Sequence, residues 1–212
     1  MPKGLREIRN RIKSVKSTGQ ITRAMQLVAS SKMKRAQDSA RAGRAYAELL
    51  GEILDTAQSK VGDFTHPLLT KREVKVRGIL LVTPDKGMAG ALNGNLIRLA
   101  AEQKNAVFVC IGRKGAQAIA RSGRKILADF PVTDRANFSE VRPAAEYLIK
   151  AFTEGTVDTV EVLFAHFKNT MVQTPRVLQL LPADSLVAQA REFRTKLGIP
   201  APKVEDDEQI GR

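Results

Sequence analysis

Proline is missing from the opening stretch of this 212-residue chain: none occurs between Gly4 and His66, with Pro2 and Pro67 at the two ends. Its absence removes the commonest interruption to a single long helix. Cysteine is nearly missing too. The lone Cys110 cannot form an intramolecular disulfide, and its place in the apolar run AVFVCIG (106–112) reads as a small buried hydrophobe in a reducing compartment. No apolar run approaches the ~20 residues of a membrane span. Arginines stand where a signal peptide would place its apolar core, and the start runs directly into helical pattern, so neither secretion nor an organellar transit peptide is expected.

Chemical signatures are scarce as well. His66 and His166 have no Asp, Glu or Cys at metal-ligand spacing. The segment KGMAGALNG (86–94) fits neither GxGxxG nor GxxxxGK[ST], and reads as a tight strand-to-helix turn rather than a nucleotide site. IGRKG (111–115) could draw an anion to a helix N-terminus, although two adjacent cations on a first turn usually mark a solvated surface. No Ser or Cys stands in a nucleophile elbow. Asp85, beyond the first strand, is the one catalytic candidate by location, and it has no carboxylate partner. The residues thus imply no catalytic, cofactor or metal site.

What is present is an apolar seam. The apolar or small residues Leu5, Ile8, Ile12, Val15, Gly19, Thr22, Ala29, Met33, Ala36, Ala40, Gly43, Ala47, Leu50 and Leu54 recur at three-four spacing, and one slot between them, Gln26, is polar. That is the pattern of a coiled coil, in a helix about 75–80 Å long at 1.5 Å per residue. A shaft of that length must lie against something equally long. Of the net charge of +13, +9 belongs to the first fifty residues, where twelve Lys or Arg face Glu7, Asp38 and Glu48. A basic rod suits nucleic acid, an anionic membrane surface or acidic proteins. Tyr46 is its only aromatic residue, so bases would have nothing to stack on, and the narrow seam is a poor membrane face. Acidic protein surfaces are the least contradicted partners. Met25 and Leu27 lie off the seam, as outward contacts or as ordinary packing.

Beyond Gly62 the pattern predicts strands at 76–83, 106–111, 125–128, 157–167 and 176–181. Helices are predicted at 91–103, 112–121 and 139–152, the last capped by Ser139. Asp158 and Glu161 are expected to point outward from their strand. Such alternation implies an α/β class: a long N-terminal coiled-coil helix followed by a Rossmann-like α/β domain with a mainly parallel sheet. The expected divisions are a helix over 1–62, a connection over 63–73, a globular domain over 74–182 and an irregular tail over 183–212. That tail carries Pro200, Pro202 and the acidic cluster Glu205–Glu208.

Four segments resemble one family in the correct order. LREIRNRIKSVKSTGQITRAMQLVASSKMKRAQ (5–37), with RAYA (44–47) after it, is similar to the N-terminal helix of the gamma subunit of F-type ATP synthase. TPDKGMAGALNGNL (83–96), IGRKG (111–115) and FKNTMVQTPRVLQLLP (167–182) continue the likeness. The resemblance implies a non-catalytic central-stalk rotor. It would couple proton passage through the c-ring to conformational change in the catalytic beta subunits, on the cytoplasmic face of the bacterial inner membrane. Implied partners are the alpha and beta subunits, epsilon and the c-ring, with no nucleic acid, no cofactor and no insertion into the bilayer.

By position, Arg9, Lys13 and Lys16 would sit deep in the alpha/beta sleeve. Arg23, Met25 and Lys32 would face an acidic loop of beta, and Tyr46 would approach the c-ring and epsilon end. A single cysteine excludes the dithiol switch of chloroplast members. The family's long C-terminal helix has no counterpart before Arg212, so this sequence is expected to be a truncated or partial chain. From residues alone, a basic coiled-coil nucleic-acid binder and a small α/β nucleotide-binding protein stay open as alternatives.

Overall fold

The computed structural model describes residues 3–60, 66–133 and 136–183. The expected helix end at 62 and the irregular acidic tail therefore lie outside the described residues, apart from Ala183. The chain divides into two compact units, 1–50 and 51–212.

In the first unit, α1 (Lys3–Lys60 in full) is unbroken, as the missing prolines allow. Its described large apolar side chains stay exposed, from 41% at Leu50 to 69% at Leu27. A Cβ added at Gly19 or Gly43 would meet nothing within 4 Å. Glycine costs a solvated helix about 1 kcal/mol against alanine, so its presence on the seam is unfavourable for this helix by itself. It leaves room for a close neighbour. A seven-residue apolar repeat on a straight 3.6-residue helix drifts by about 20° per heptad, so burying the whole seam calls for a left-handed supercoil.

The second unit contains a five-stranded sheet in the order β3-β2-β1-β4-β5. Its strands are β1 (Arg77–Val82), β2 (Ala106–Ile111), β3 (Ile126–Phe130), β4 (Thr159–Phe167) and β5 (Gln173–Leu181). β1 pairs in parallel with β2 and β4, and β2 with β3, while β5 runs antiparallel to β4. The connecting helices are α2 (Leu92–Glu102), α3 (Arg113–Arg121) and α4 (Phe138–Thr153). Side chains alternate along the strands, so each face has its own core. Ile79, Leu81, Phe108, Cys110 and Leu163 pack with Leu96 and Ala100 of α2 and Ile119 of α3. Leu80, Val109, Ile111 and Val160 pack with Ala144, Leu148, Ala151 and Phe152 of α4. This is the expected α/β class with one antiparallel edge.

Several local expectations need correction. The final strand begins at Gln173 rather than 176 and carries Pro175 within it. Proline is tolerated there because β5 is an edge strand. α4 is capped by Asn137, not Ser139, without a side-chain cap bond. Asp158 lies outside β4, and Glu161 points inward: it is buried and forms a forked ion pair with Arg77 (Nε to Oε1 2.8 Å). A carboxylate there needs that partner, because burying it alone would cost several kcal/mol.

Two arginines close helix ends in the same way. Arg124 stacks on Phe108 at 4.8 Å and donates to the Ala100 and Gln103 carbonyls at the end of α2. Arg72 stacks on Phe152 at 4.8 Å and donates to the Phe152 carbonyl at 2.8 Å near the end of α4. Each places a cation at the negative end of a helix while its planar group covers an aromatic face.

Candidate functional site: the basic helix and the β1–α2 turn

The turn after β1 lies where an α/β sheet would bind a phosphate, so its amides decide whether it can. Gly112, at the N-cap of α3, has φ +97°, and a Cβ there would lie 1.8 Å from the Thr83 carbonyl oxygen. Only glycine fits, and that close approach zips the end of β1 onto the start of α3. Thr83 Oγ1 accepts from Gly115 N at 2.8 Å and donates to the Gly112 carbonyl at 3.1 Å. Asp85 Oδ1 accepts from Arg113 N at 2.9 Å, and the Pro84 carbonyl accepts from Lys114 N at 3.4 Å. The first three amides of α3, which a bound anion would need, are taken by the protein itself. The Asp85 carboxylate occupies the position of the anion. Asp85 thus caps α3, and IGRKG (111–115) is a turn whose first amides are filled.

The neighbouring loop presents rather than encloses. Met88 and Gly90 adopt left-handed backbone, φ 54° and 58°, and Met88 is fully exposed. The β4–β5 hairpin does likewise. Asn169 Oδ1 accepts from Met171 N (2.9 Å) and Val172 N (2.8 Å), Gln173 Nε2 donates to the Asn169 and Thr170 carbonyls, and Met171 is exposed at the tip. Sequence reasoning passed over both methionines. The signal available was a methionine inside a Gly-rich or Asn-Thr turn, where no core could reach it.

Neither histidine sits in a cluster of metal-ligating groups among the described residues. His66 Nδ1 accepts from Leu68 N at 3.2 Å and caps the short 3-10 turn Pro67–Leu69. His166 meets Phe164 edge-on, with ring centroids 6.4 Å apart. Cys110 is fully buried, and desolvation, with the Asp129 charge adding to it, pushes its thiol pKa up to about 12. It is neither thiolate nor accessible.

On α1 the expected contact residues are all exposed, and helical geometry sorts them into groups. Arg9, Lys16 and Arg23 are seven residues apart and form one basic line flanking the seam. Met25 and Lys32, also seven apart, share another face. Ile21 and Val28, exposed at 59% and 58%, join Met25 there in a short second apolar patch. At 100° per residue that patch lies about 120° around the helix from Gly19 and Thr22. The seam reading missed Ile21 and Val28, although their four-three spacing about Met25 was visible. Lys13, four residues after Arg9 and three before Lys16, lies within about 60° of that basic line. Leu27 has no large apolar neighbour at three-four spacing, since Arg23, Ala24, Ser30 and Ser31 hold those places. Tyr46 is exposed about 30 Å further along the helix from Met25, at 1.5 Å per residue.

Comparison with known proteins identifies the family by sequence and the fold by structure. The sequence profile of the ATP synthase family matches residues 4–209. The ATP synthase gamma chain of Opitutus terrae is 52% identical over 199 residues, covering 93% of this chain and 68% of that protein. The corresponding gamma chain of Akkermansia muciniphila is 43% identical over 182 residues, covering 85% and 62%. This chain thus spans about two thirds of the length of the relatives it matches. Its fold is similar to a chain of the central stalk and c-ring structure of Tetrahymena thermophila mitochondrial ATP synthase. The TM-score is 0.57 at 23% identity, covering 80% of this chain and 77% of that one. The chain belongs to the ATP synthase gamma-chain family.

Proposed function

We propose that this chain is the central-stalk rotor subunit of a bacterial F-type ATP synthase. The observation that carries the reading is α1: an unbroken helix whose heptad-spaced seam is exposed and flanked by the line Arg9, Lys16 and Arg23. Burying each large apolar residue of such a seam contributes about 1.5–3 kcal/mol. A second strand along the seam is therefore strongly favoured, while the basic line steers the shaft among acidic loops. Single exposed ion pairs contribute about 0–1 kcal/mol, which suits a surface that must slide rather than stick.

In this reading α1 stands within the ring of alpha and beta subunits, with Arg9, Lys13 and Lys16 deeper and Arg23, Met25 and Lys32 facing an acidic loop of beta. Tyr46 approaches the c-ring and epsilon. The divisions 1–62, 63–73, 74–182 and 183–212 serve as shaft, connection, foot and tail. The chain does no bond chemistry of its own. The filled amides of α3 support this, since they give a nucleotide phosphate no purchase there. Proton passage through the c-ring turns the shaft, and its asymmetric surface drives the catalytic beta subunits through their conformations. The complex lies at the cytoplasmic face of the inner membrane, with this chain peripheral to the bilayer. No helix among the described residues is long and apolar enough to cross a membrane.

The test is assembly followed by coupling. The protein should co-purify with alpha and beta. Changing Arg9, Lys16 and Arg23 together to Gln should lower ATP-driven proton pumping several-fold at low salt while ATP hydrolysis persists. Pumping at the wild-type level in that triple variant would contradict the acidic-sleeve reading.

A further inference from the structure

Residues 70–76 between the short 3-10 turn and β1 have no helix or strand of their own, yet they are fastened to the domain at several separate points. At one end, the Leu68 side chain packs against the α4-side core, and the Leu68 carbonyl accepts from Ala183 N at 2.8 Å, just past β5. In the middle, Arg72 reaches the Phe152 carbonyl and covers the Phe152 ring. At the other end, Asp158 Oδ2 accepts from both Lys75 N and Val76 N at 2.8 Å, and Asp158 N returns a bond to the Val76 carbonyl at 2.8 Å. The fastening points belong to α4, the α4–β4 turn and the end of β5. None of them is on β2, the strand that β1 meets on its other side.

We propose that residues 66–76 form a strap: a single cooperative segment, bolted by Leu68, Arg72 and Asp158, that opens as a unit without unfolding the sheet. Force entering along the chain ahead of residue 66 is taken by α4, the α4–β4 turn and the end of β5 before it reaches β1. This consequence for force rests on the rotor reading above; the strap itself does not. Isolated polar contacts would each protect only the amide they touch. A strap held at both ends and the middle links them, because freeing one bolt lowers the cost of opening the whole segment. Its polar anchors are exposed or half-buried, so the strap lies at the low-stability end of the domain.

Amide hydrogen exchange on the full chain tests the strap. Arg72→Ala should raise exchange at the Lys75 and Val76 amides at least tenfold, although Arg72 touches neither. Asp158→Ala should likewise raise exchange at the Ala183 amide, while Asp158→Asn, which keeps an acceptor, should restore much of the protection. Leu80 and Val109 amides in the sheet should not change. Effects confined to the amides each side chain touches, or a rise in the sheet amides by the same factor, would overturn the proposal. In the assembled enzyme, the Arg72→Ala/Asp158→Ala double variant should keep ATP hydrolysis and lose at least half of ATP-driven pumping. Undiminished pumping would overturn the force-carrying role. Failure of the wild-type protein to assemble with alpha and beta would instead count against the rotor reading, and leave the exchange result to decide the strap.

Discussion

In the sheet, Ile79, Leu81, Phe108 and Leu163 lose all contact with water against α2 and α3, whereas Ile8, Ile12 and Val15 of α1 keep more than half of theirs. The two regions use similar side chains. What differs is geometry: a twisted parallel sheet with helices on both faces brings distant segments together, while a lone helix can meet only what another element brings to it. The domain therefore buries its own core, while the described side chains of the α1 seam stay exposed. Charge follows the same division, since the helix carries most of the net positive charge and the domain pairs its buried charge internally through Arg77 and Glu161.

The contrast can be broken most forcefully in the core. Phe152→Ala should cost the domain about 3–5 kcal/mol, whereas Ile12→Ala should change the stability of the chain by itself by less than about 0.5 kcal/mol. Urea unfolding followed by circular dichroism checks both, and equal losses would erase the distinction. Gly112→Ala comes next. Its φ of +97° and the 1.8 Å approach to the Thr83 carbonyl make a loss of about 2 kcal/mol or more the expected outcome in the same measurement. Asp85→Ala removes only a cap and should cost about 1 kcal/mol. If Asp85 were catalytic instead, the change would abolish an activity and leave stability alone.

Much of the domain was legible because its strands are short apolar runs and its helices periodic; β2 falls at the expected residues and α2 and α3 within one residue of theirs. The misreadings share a cause. Residue type alone reads Asp158 and Glu161 as outward, yet each finds a partner far away in sequence: the amides of Lys75 and Val76 for Asp158, and the Arg77 guanidinium for Glu161; Asp85, a candidate by its place alone, likewise meets the distant Arg113 amide. Periodicity reports which face a residue occupies and is silent on what stands opposite. The start of β5 was missed because Thr174 and Pro175 look like a turn, and only its edge position makes them a strand. On α1 the seam was plain, and the patch of Ile21, Met25 and Val28 was read from Met25 alone.

Two smaller effects sharpen the comparison. Cys110, with its thiol pushed up to about 12 and fully buried, should resist a thiol reagent at pH 8 until the domain unfolds, so labelling times unfolding directly. Fast labelling of the native chain would mean that this core opens. For Asp158, the Val76 and Lys75 amides hold the carboxyl below its ordinary 3.8, with Arg72 and Lys75 adding their charge. Its contribution is complete above the unfolded value and is lost only as pH falls through the lower folded one. A carboxyl titration by NMR should give a midpoint under 3.8, and a midpoint above it would remove the bolt from the strap.

A silent Cys110 makes burial of the α1 seam directly measurable. With Ile12→Cys, labelling of the chain alone should run near the rate of an unstructured peptide, and should slow at least a hundredfold in the assembled complex. Equal rates in the two states would contradict the proposal that a second strand covers the seam of α1.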